Sequence, residues 1–288
     1  MFYRSHVPFQ EFLWLKGTGG NAKSALTRRI TALLGRDNVS SIKPAALADP
    51  ARRFESANLY GKEANIVADV GEDYIKGTDI LKALTGGDSI SAEFKGIQNF
   101  SFTNYAKMMF AANAMPAFSD KSEGFADRVM VIEMINGNVR HTDWWKQFDE
   151  EAIEREQPAW AMHCMQLFAA ALKRHSFTQV QSVIDASQQW LDDNDHFKEF
   201  ISQYTEIIPN ETRGAVVTNV VAEYKAFCEQ NGYSDKTSSK TITNRLSEWG
   251  ITPRKTTQGF DDDDHTGNLN RYPGLHLTGS LLNPRYNK

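Results

Sequence analysis

The chain has 288 residues, 41% of them hydrophobic and 24% charged, with a formal net charge of −4. That length suits one large or two ordinary domains of soluble globular composition, and the negative balance excludes a broad basic surface, so any nucleic acid must be met by a few placed loops. No apolar run approaches a membrane span and no secretory signal pattern opens the chain, so a cytoplasmic protein without a membrane partner is expected.

Met1 stands a few residues before the first predicted strand, which suggests a fragment of a longer chain or an unusual start. That strand is the apolar run Phe12-Leu13-Trp14-Leu15. Gly17, Gly19 and Gly20 follow and predict a tight turn with uncovered backbone N–H groups. Lys23 and Ser24 then open an apolar-periodic segment through Leu34 with helical spacing. Strand, glycine loop, Lys-Ser and helix are what a phosphate-binding loop requires, because a helix N-terminus offers a polyanion unpaired N–H groups and a positive dipole end. Gly17, Gly19, Gly20, Asn21, Ala22, Lys23 and Ser24 are therefore the candidate nucleotide-binding residues, with ATP and Mg²⁺ as the expected cofactors. Lys23 would reach the β- and γ-phosphates, and Ser24 would ligate the metal. The general pattern puts a glycine immediately before the lysine; this chain has Ala22 there, which costs energy if that position needs a positive φ.

Residues 36–60 carry loop and helix signals. Ala64–Val70 reads as a second buried strand, and Asp69 at its end is the candidate metal-side acid. Glu72, just beyond, is the candidate for activating water. Asp79–Thr85 predicts a short helix stopped by Gly86-Gly87. Ser89–Phe94 and Phe100–Phe102 alternate as a β-hairpin should, with Lys95 near its tip. Lys107–Ala112 predicts another buried strand ending in the polar Asn113, and Arg128 precedes a strand from Val129 to Ile132. Taken singly, Asn113 could be a turn former or could orient the attacking water from the strand beside the loop, while Arg128 could be a surface ion-pair partner and Lys95 a solubilising residue.

Gly-Thr-Gly-Gly-Asn-Ala-Lys-Ser, Ala-Asp-Val, Lys-Ala-Leu-Thr-Gly-Gly-Asp-Ser-Ile, Phe-Ala-Ala-Asn-Ala-Met-Pro and Asp-Arg-Val-Met-Val-Ile occur in this order and spacing. Over about residues 10–190, the series resembles the superfamily 3 helicase domain of phage and plasmid primase-helicases, AAA+ ATPases that encircle DNA as hexameric rings. The resemblance implies an α/β AAA+ P-loop core with a helical lid and an ATP-dependent helicase translocating on single-stranded DNA. It implies a homo-hexamer in the full-length protein and a bacterial host cell. By matching position, Lys23 and Ser24 fall on its Walker A motif and Asp69 on its Walker B motif. Asn113 falls on its sensor-1 asparagine, Arg128 on the arginine finger that reaches a neighbouring subunit's ATP, and Lys95 on the hairpin that grips DNA. Two departures bear on turnover: Ala22 replaces a glycine, and Ala68 leaves one acid where such proteins often have an adjacent pair.

Residues 143–190 read as the helical lid, with a periodic stripe of Trp160, Cys164, Leu167, Phe168, Ala171 and Leu172 expected in a core. Cys164 and Cys228 are expected as core thiols rather than metal ligands or a disulfide. The polar break at 192–195 places the division at 1–192 and 193–288. Beyond it, helices are expected at His196–Ile207, Ala215–Gln230 and Ser238–Trp249, followed by two short strands around a loop. This suggests a small winged-helix domain able to meet duplex DNA, with Lys240, Thr241, Asn244 and Arg245 on the recognition helix and Arg254 and Lys255 at phosphates. The acidic run 261–264 in the wing loop argues against DNA there and for packing or protein binding. Two rivals to a helicase remain: a hydrolysis-poor ATP-binding assembly or origin-binding module acting through the winged helix, and a winged-helix regulator with a vestigial loop.

Overall fold

The computed structural model describes residues 3–6, 8–49, 54–71, 74–75, 77–94, 99–118, 120, 122–139, 142–147, 149–233, 237–260 and 267–282. They form two compact units, 1–194 and 195–288.

The first unit begins with β1 (Phe12–Lys16), α1 (Lys23–Leu34), β2 (Val39–Ser40), α2 (Pro44–Leu47) and β3 (Ala64–Val70). It continues through α3 (Asp79–Gly86), the antiparallel pair β4 (Ser89–Ala92) and β5 (Phe100–Thr103), β6 (Lys107–Ala112), α4 (Glu123–Ala126) and β7 (Val129–Glu133). Helices α5 (Asp143–Lys146), α6 (Glu150–Arg174) and α7 (Gln181–Asp193) close it.

Five strands make one parallel sheet in the order β2-β3-β6-β1-β7. A parallel strand between two others is covered on both faces, so it carries apolar residues at every position. In β1, Phe12 and Trp14 enter one core cluster with Phe110 and Trp190. Leu15 enters the other cluster with Leu34, Ile66 and Met109, on the side where Leu26 and Ile30 of α1 pack. Trp14 lies 4.9 Å from Phe110 and 5.2 Å from Trp190, ring centre to ring centre.

The edge strand β7 is covered by α7. Ser187 Oγ accepts from the Val131 backbone N–H at 2.9 Å, satisfying a donor that an open edge would expose. At the other edge, the buried Asn65 amide bonds both backbone groups of Ile42 and the Ser40 hydroxyl. The β3–β6 pairing shifts register between Val67 and Val70. Ala68 and Asp69 are consequently both exposed, while Val70 is buried again.

The long helix α6 departs from expectation. Of its predicted stripe only Ala171 is buried, and Phe168 meets Tyr3 and Phe9 at 5.4 and 5.5 Å. Trp160 is 36% and Leu167 57% exposed. Cys228 is buried and Cys164 half-buried, and neither is in a disulfide.

The second unit holds α8 (His196–Tyr204), β8 (Thr205–Ile207), β9 (Gly214–Val216), α9 (Val217–Gln230), α10 (Ser239–Glu248), β10 (Arg254–Thr256), β11 (Leu269–Pro273) and β12 (Leu275–Leu277). β10, β11 and β9 form an antiparallel sheet, and β8 pairs with β12. The helix expected to run to Ile207 stops at Tyr204, because Thr205–Ile207 pairs with Leu275–Leu277. Ala215 and Val216, expected as helix, instead pair with Tyr272 and Arg271. The core is aromatic, with Phe197, Phe200, Tyr224 and Phe227 around Ile242 and Leu246.

Candidate functional site

In an open parallel sheet, ligands are met beyond the carboxyl ends of the strands. β1 ends at Lys16 and leads into the glycine loop, β3 ends beside Asp69, and β6 ends one residue before Asn113. Three of the predicted residues therefore come from three adjacent strands at the same end of the sheet. Gly17 N–H donates to Ala112 O at 3.2 Å and fixes the start of the loop against the exit of β6.

The loop is arranged around one cation. Lys23 is 7% exposed. Its ammonium donates to the Gly17 carbonyl, to Thr18 O at 3.0 Å, to Asn21 Oδ1 at 3.0 Å and to Asn113 Oδ1 at 3.0 Å. Burial lowers the Lys23 pKa from its ordinary value, opposed by the charge of Asp69. Among the described residues, Asp69 is the acid whose charge acts on this lysine, which is otherwise held by neutral oxygens, and such a charge attracts an anion.

Helix α1 opens with its donors uncapped. Its N-cap is Ala22, which supplies no side-chain bond, and no acidic residue lies in the first turn. The first N–H groups are left for a ligand. Ala22 sits at φ 70° and ψ 6°, the left-handed region that an alanine enters at about 1–2 kcal/mol. Gly20, two residues earlier, has φ 83°, and a Cβ there would lie 2.4 Å from Asn138 Oδ1.

Asp69 and Ser24 are exposed at this end of the sheet. A magnesium ion keeps several waters and asks for only one or two protein oxygens besides phosphate, so a hydroxyl and a carboxylate are chemically a sufficient donor set. Among the described residues no group of three or more His, Cys, Asp or Glu side chains forms a metal site by itself.

Arg128 is not brought to the loop. Its carbonyl accepts from Phe12 N–H at 2.8 Å, so it stands at the amino end of β1 and β7, about 13 Å of strand from the glycines. Its guanidinium donates to the Gly124 carbonyl and, at 2.5 Å, to Gln10 Oε1. Glu72 and Lys95 lie outside the described residues.

In the second unit Lys240, Thr241, Asn244, Arg254 and Lys255 are exposed. Arg245 is turned inward. It pairs with Asp195 at 2.6 Å, both side chains being 15% exposed, and its guanidinium covers the Phe197 ring at 4.7 Å.

Residues 134–139 were missed by sequence reasoning. Met134 O accepts from Asn21 Nδ2 at 3.0 Å, and Val139 N–H donates to Gly20 O at 3.1 Å. These contacts use backbone atoms, which leave no signature in the residue types.

Residues 15–128 match a family described as a family of unknown function, DUF5906. The chain is 20% identical over 254 residues to the protein named "Putative helicase L207/L206" of Acanthamoeba polyphaga mimivirus, across 82% of this chain and 26% of that protein. It thus spans about a quarter of that relative. Among solved structures, the A form of the apo C-terminal region of NrS-1 superposes with a TM-score of 0.50 at 14% identity, covering 93% of this chain and 66% of that one. A second apo structure of the NrS-1 C-terminal region gives 0.47 at 14% identity, over 93% of this chain and 68% of that one. The first of these likenesses is one of fold: a mixed α/β chain built on a parallel five-stranded sheet.

Proposed function

We propose that this chain is an ATP-hydrolysing helicase module of the superfamily 3, AAA+ kind, acting on DNA in the replication of a phage or plasmid. The observation that carries this is the meeting of Lys23 with Asn113 at 3.0 Å across the carboxyl end of the sheet. The strand order supports it as well, because the Asn113 strand lies between the glycine-loop strand and the Asp69 strand. The mimivirus relative is named as a helicase.

In this reading the α1 N–H groups and Lys23 hold the phosphates, and Ser24 and Asp69 hold Mg²⁺, which neutralises charge on the β- and γ-oxygens when bound. Asn113 orients the attacking water. Arg128, at the far end of its own sheet, serves the nucleotide of a neighbouring copy in a hexameric ring. Lys95 grips the single strand. α5–α7 form the lid, and the second unit is a winged helix whose exposed Lys240, Asn244, Arg254 and Lys255 meet duplex phosphates. Arg245, engaged with Asp195, orients α10 instead of reaching out.

The test is ATP hydrolysis with and without single-stranded DNA across protein concentration. A DNA-stimulated rate per subunit that rises with concentration, and that Lys23→Ala abolishes, is expected. A Lys23→Ala protein as active as its parent sinks the proposal.

Two observations favour a second reading. The left-handed Ala22 and the lone Asp69 beside the exposed Ala68 suit a hydrolysis-poor ATP-binding assembly module. Tight MgATP binding with negligible turnover at every concentration distinguishes it.

A further inference from the structure

We propose that Asn21 is a positioning residue: its side-chain amide aims the Lys23 ammonium with one end and straps the loop to the exit of β7 with the other. This rests on the nucleotide-binding reading above.

Asn21 is 2% exposed. Its Oδ1 accepts from Lys23 Nζ at 3.0 Å, and its Nδ2 donates to the Met134 carbonyl at 3.0 Å. Only an uncharged amide of this length offers an acceptor and a donor at once; aspartate offers acceptors alone, and serine is shorter. The surroundings are shaped to admit it. A Cβ on Gly17 would fall 2.1 Å from Asn21 Nδ2 and 2.7 Å from Met134 O. The glycine that opens the loop is therefore needed for this side chain as well as for the turn.

The same segment touches the loop a second time, where Val139 N–H donates to Gly20 O. Residues 134 and 139 thus hold the loop at two points, and at the first of them the hold continues through Asn21 to the lysine.

An ammonium has three protons, and Lys23 spends them on four oxygens. A triphosphate in the loop must take donors from some of these. Asn113 belongs to another strand, and the carbonyls of Gly17 and Thr18 belong to the loop backbone. Asn21 is the side-chain acceptor carried by the loop itself. It can keep its bond while the remaining protons turn to the phosphates, so it sets the direction in which Lys23 points.

The test is a double-mutant cycle read by equilibrium binding of a fluorescent MgATP analogue to the full chain. Asn21→Ala is expected to weaken binding about tenfold in the parent. On a Lys23→Met background the same change is expected to cost less than about twofold, since the group it positions is gone. Equal losses in both backgrounds overturn the proposal, because Asn21 would then serve the loop's folding alone.

Steady-state kinetics give the second measure. Turnover of Asn21→Ala should fall about tenfold, with KM rising in step with the tenfold loss of binding. A raised KM with unchanged turnover overturns positioning. If the parent chain binds no MgATP, the nucleotide reading itself fails; a parent that binds and an Asn21→Ala protein that binds equally well removes only this inference.

Discussion

The Lys23 ammonium lies 3.0 Å from Oδ1 of Asn113, a residue 90 positions further along the chain. Two strands that pair side by side deliver these groups to one point, since β1 and β6 run in parallel register from Leu13 and Met109 to Lys16 and Ala112. Asn113→Ala removes one competitor for the lysine and, on the proposed reading, the group that orients water. MgATP affinity should stay within about threefold of the parent while hydrolysis falls roughly a hundredfold. Paired titration and turnover measurements check this.

Ala22→Gly should stabilise the chain. The left-handed backbone at φ 70° costs an alanine about 1–2 kcal/mol, and the freedom glycine gains in the unfolded chain returns about 0.4–1 of it. A net gain of about 0.5–1 kcal/mol is expected, read as a rise of roughly 2 °C in the melting temperature. If turnover rises as well, the alanine was also holding the loop away from its productive shape.

The position of Arg128 predicts complementation. Its guanidinium is fixed to Gly124 and Gln10 at the end of the sheet opposite the loop, so it cannot serve its own subunit's phosphates. Arg128→Ala and Lys23→Ala should each lose hydrolysis about a thousandfold alone. Mixed together, they should recover part of it, as intact loops meet intact arginines. Mixtures no more active than the separate proteins argue against action between subunits.

Asp120 provides a pH-dependent tie. Burial alone would raise its pKa, but bonds from Lys82 at 2.7 Å, Thr78 at 2.5 Å and Ser122 hold it down at about 2. The folded value lies below the ordinary 3.8. The stabilisation is therefore complete above pH 4 and is lost as pH falls through 2. Asp120→Asn should cost about 2 kcal/mol at pH 7 in urea unfolding, and its gap from the parent should close between pH 4 and pH 2.

Local features were the most legible in the sequence. The buried strand β1, the glycine loop and the opening of α1 at Lys23 follow from neighbours in the chain, and Gly87 ends α3 with the left-handed cap its position predicts. Asn113 could be read from its strand end as either a turn former or a water-orienting group, and the resemblance favoured the second; nothing within its own strand marks the lysine it meets. Thr205–Ile207 read as helix because the apolar spacing continues; the partner that makes it a strand lies some 70 residues on, at Leu275–Leu277. The exposure along α6 was equally hidden, since periodicity identifies an apolar face without saying what packs on it. The hold exerted by residues 134–139 passes through the Met134 carbonyl and the Val139 N–H, groups that almost every residue type possesses.

The register shift between Val67 and Val70 leaves an evolutionary opening. A regular strand would send one of positions 68 and 69 into a core, where a carboxylate could not be tolerated without a partner. Here both face solvent. A second acid at position 68 would enter without burying charge or displacing a packed side chain. The fold therefore places no barrier between this single-acid chain and one with adjacent carboxylates; only the chemistry at the end of β3 decides which of the two is kept.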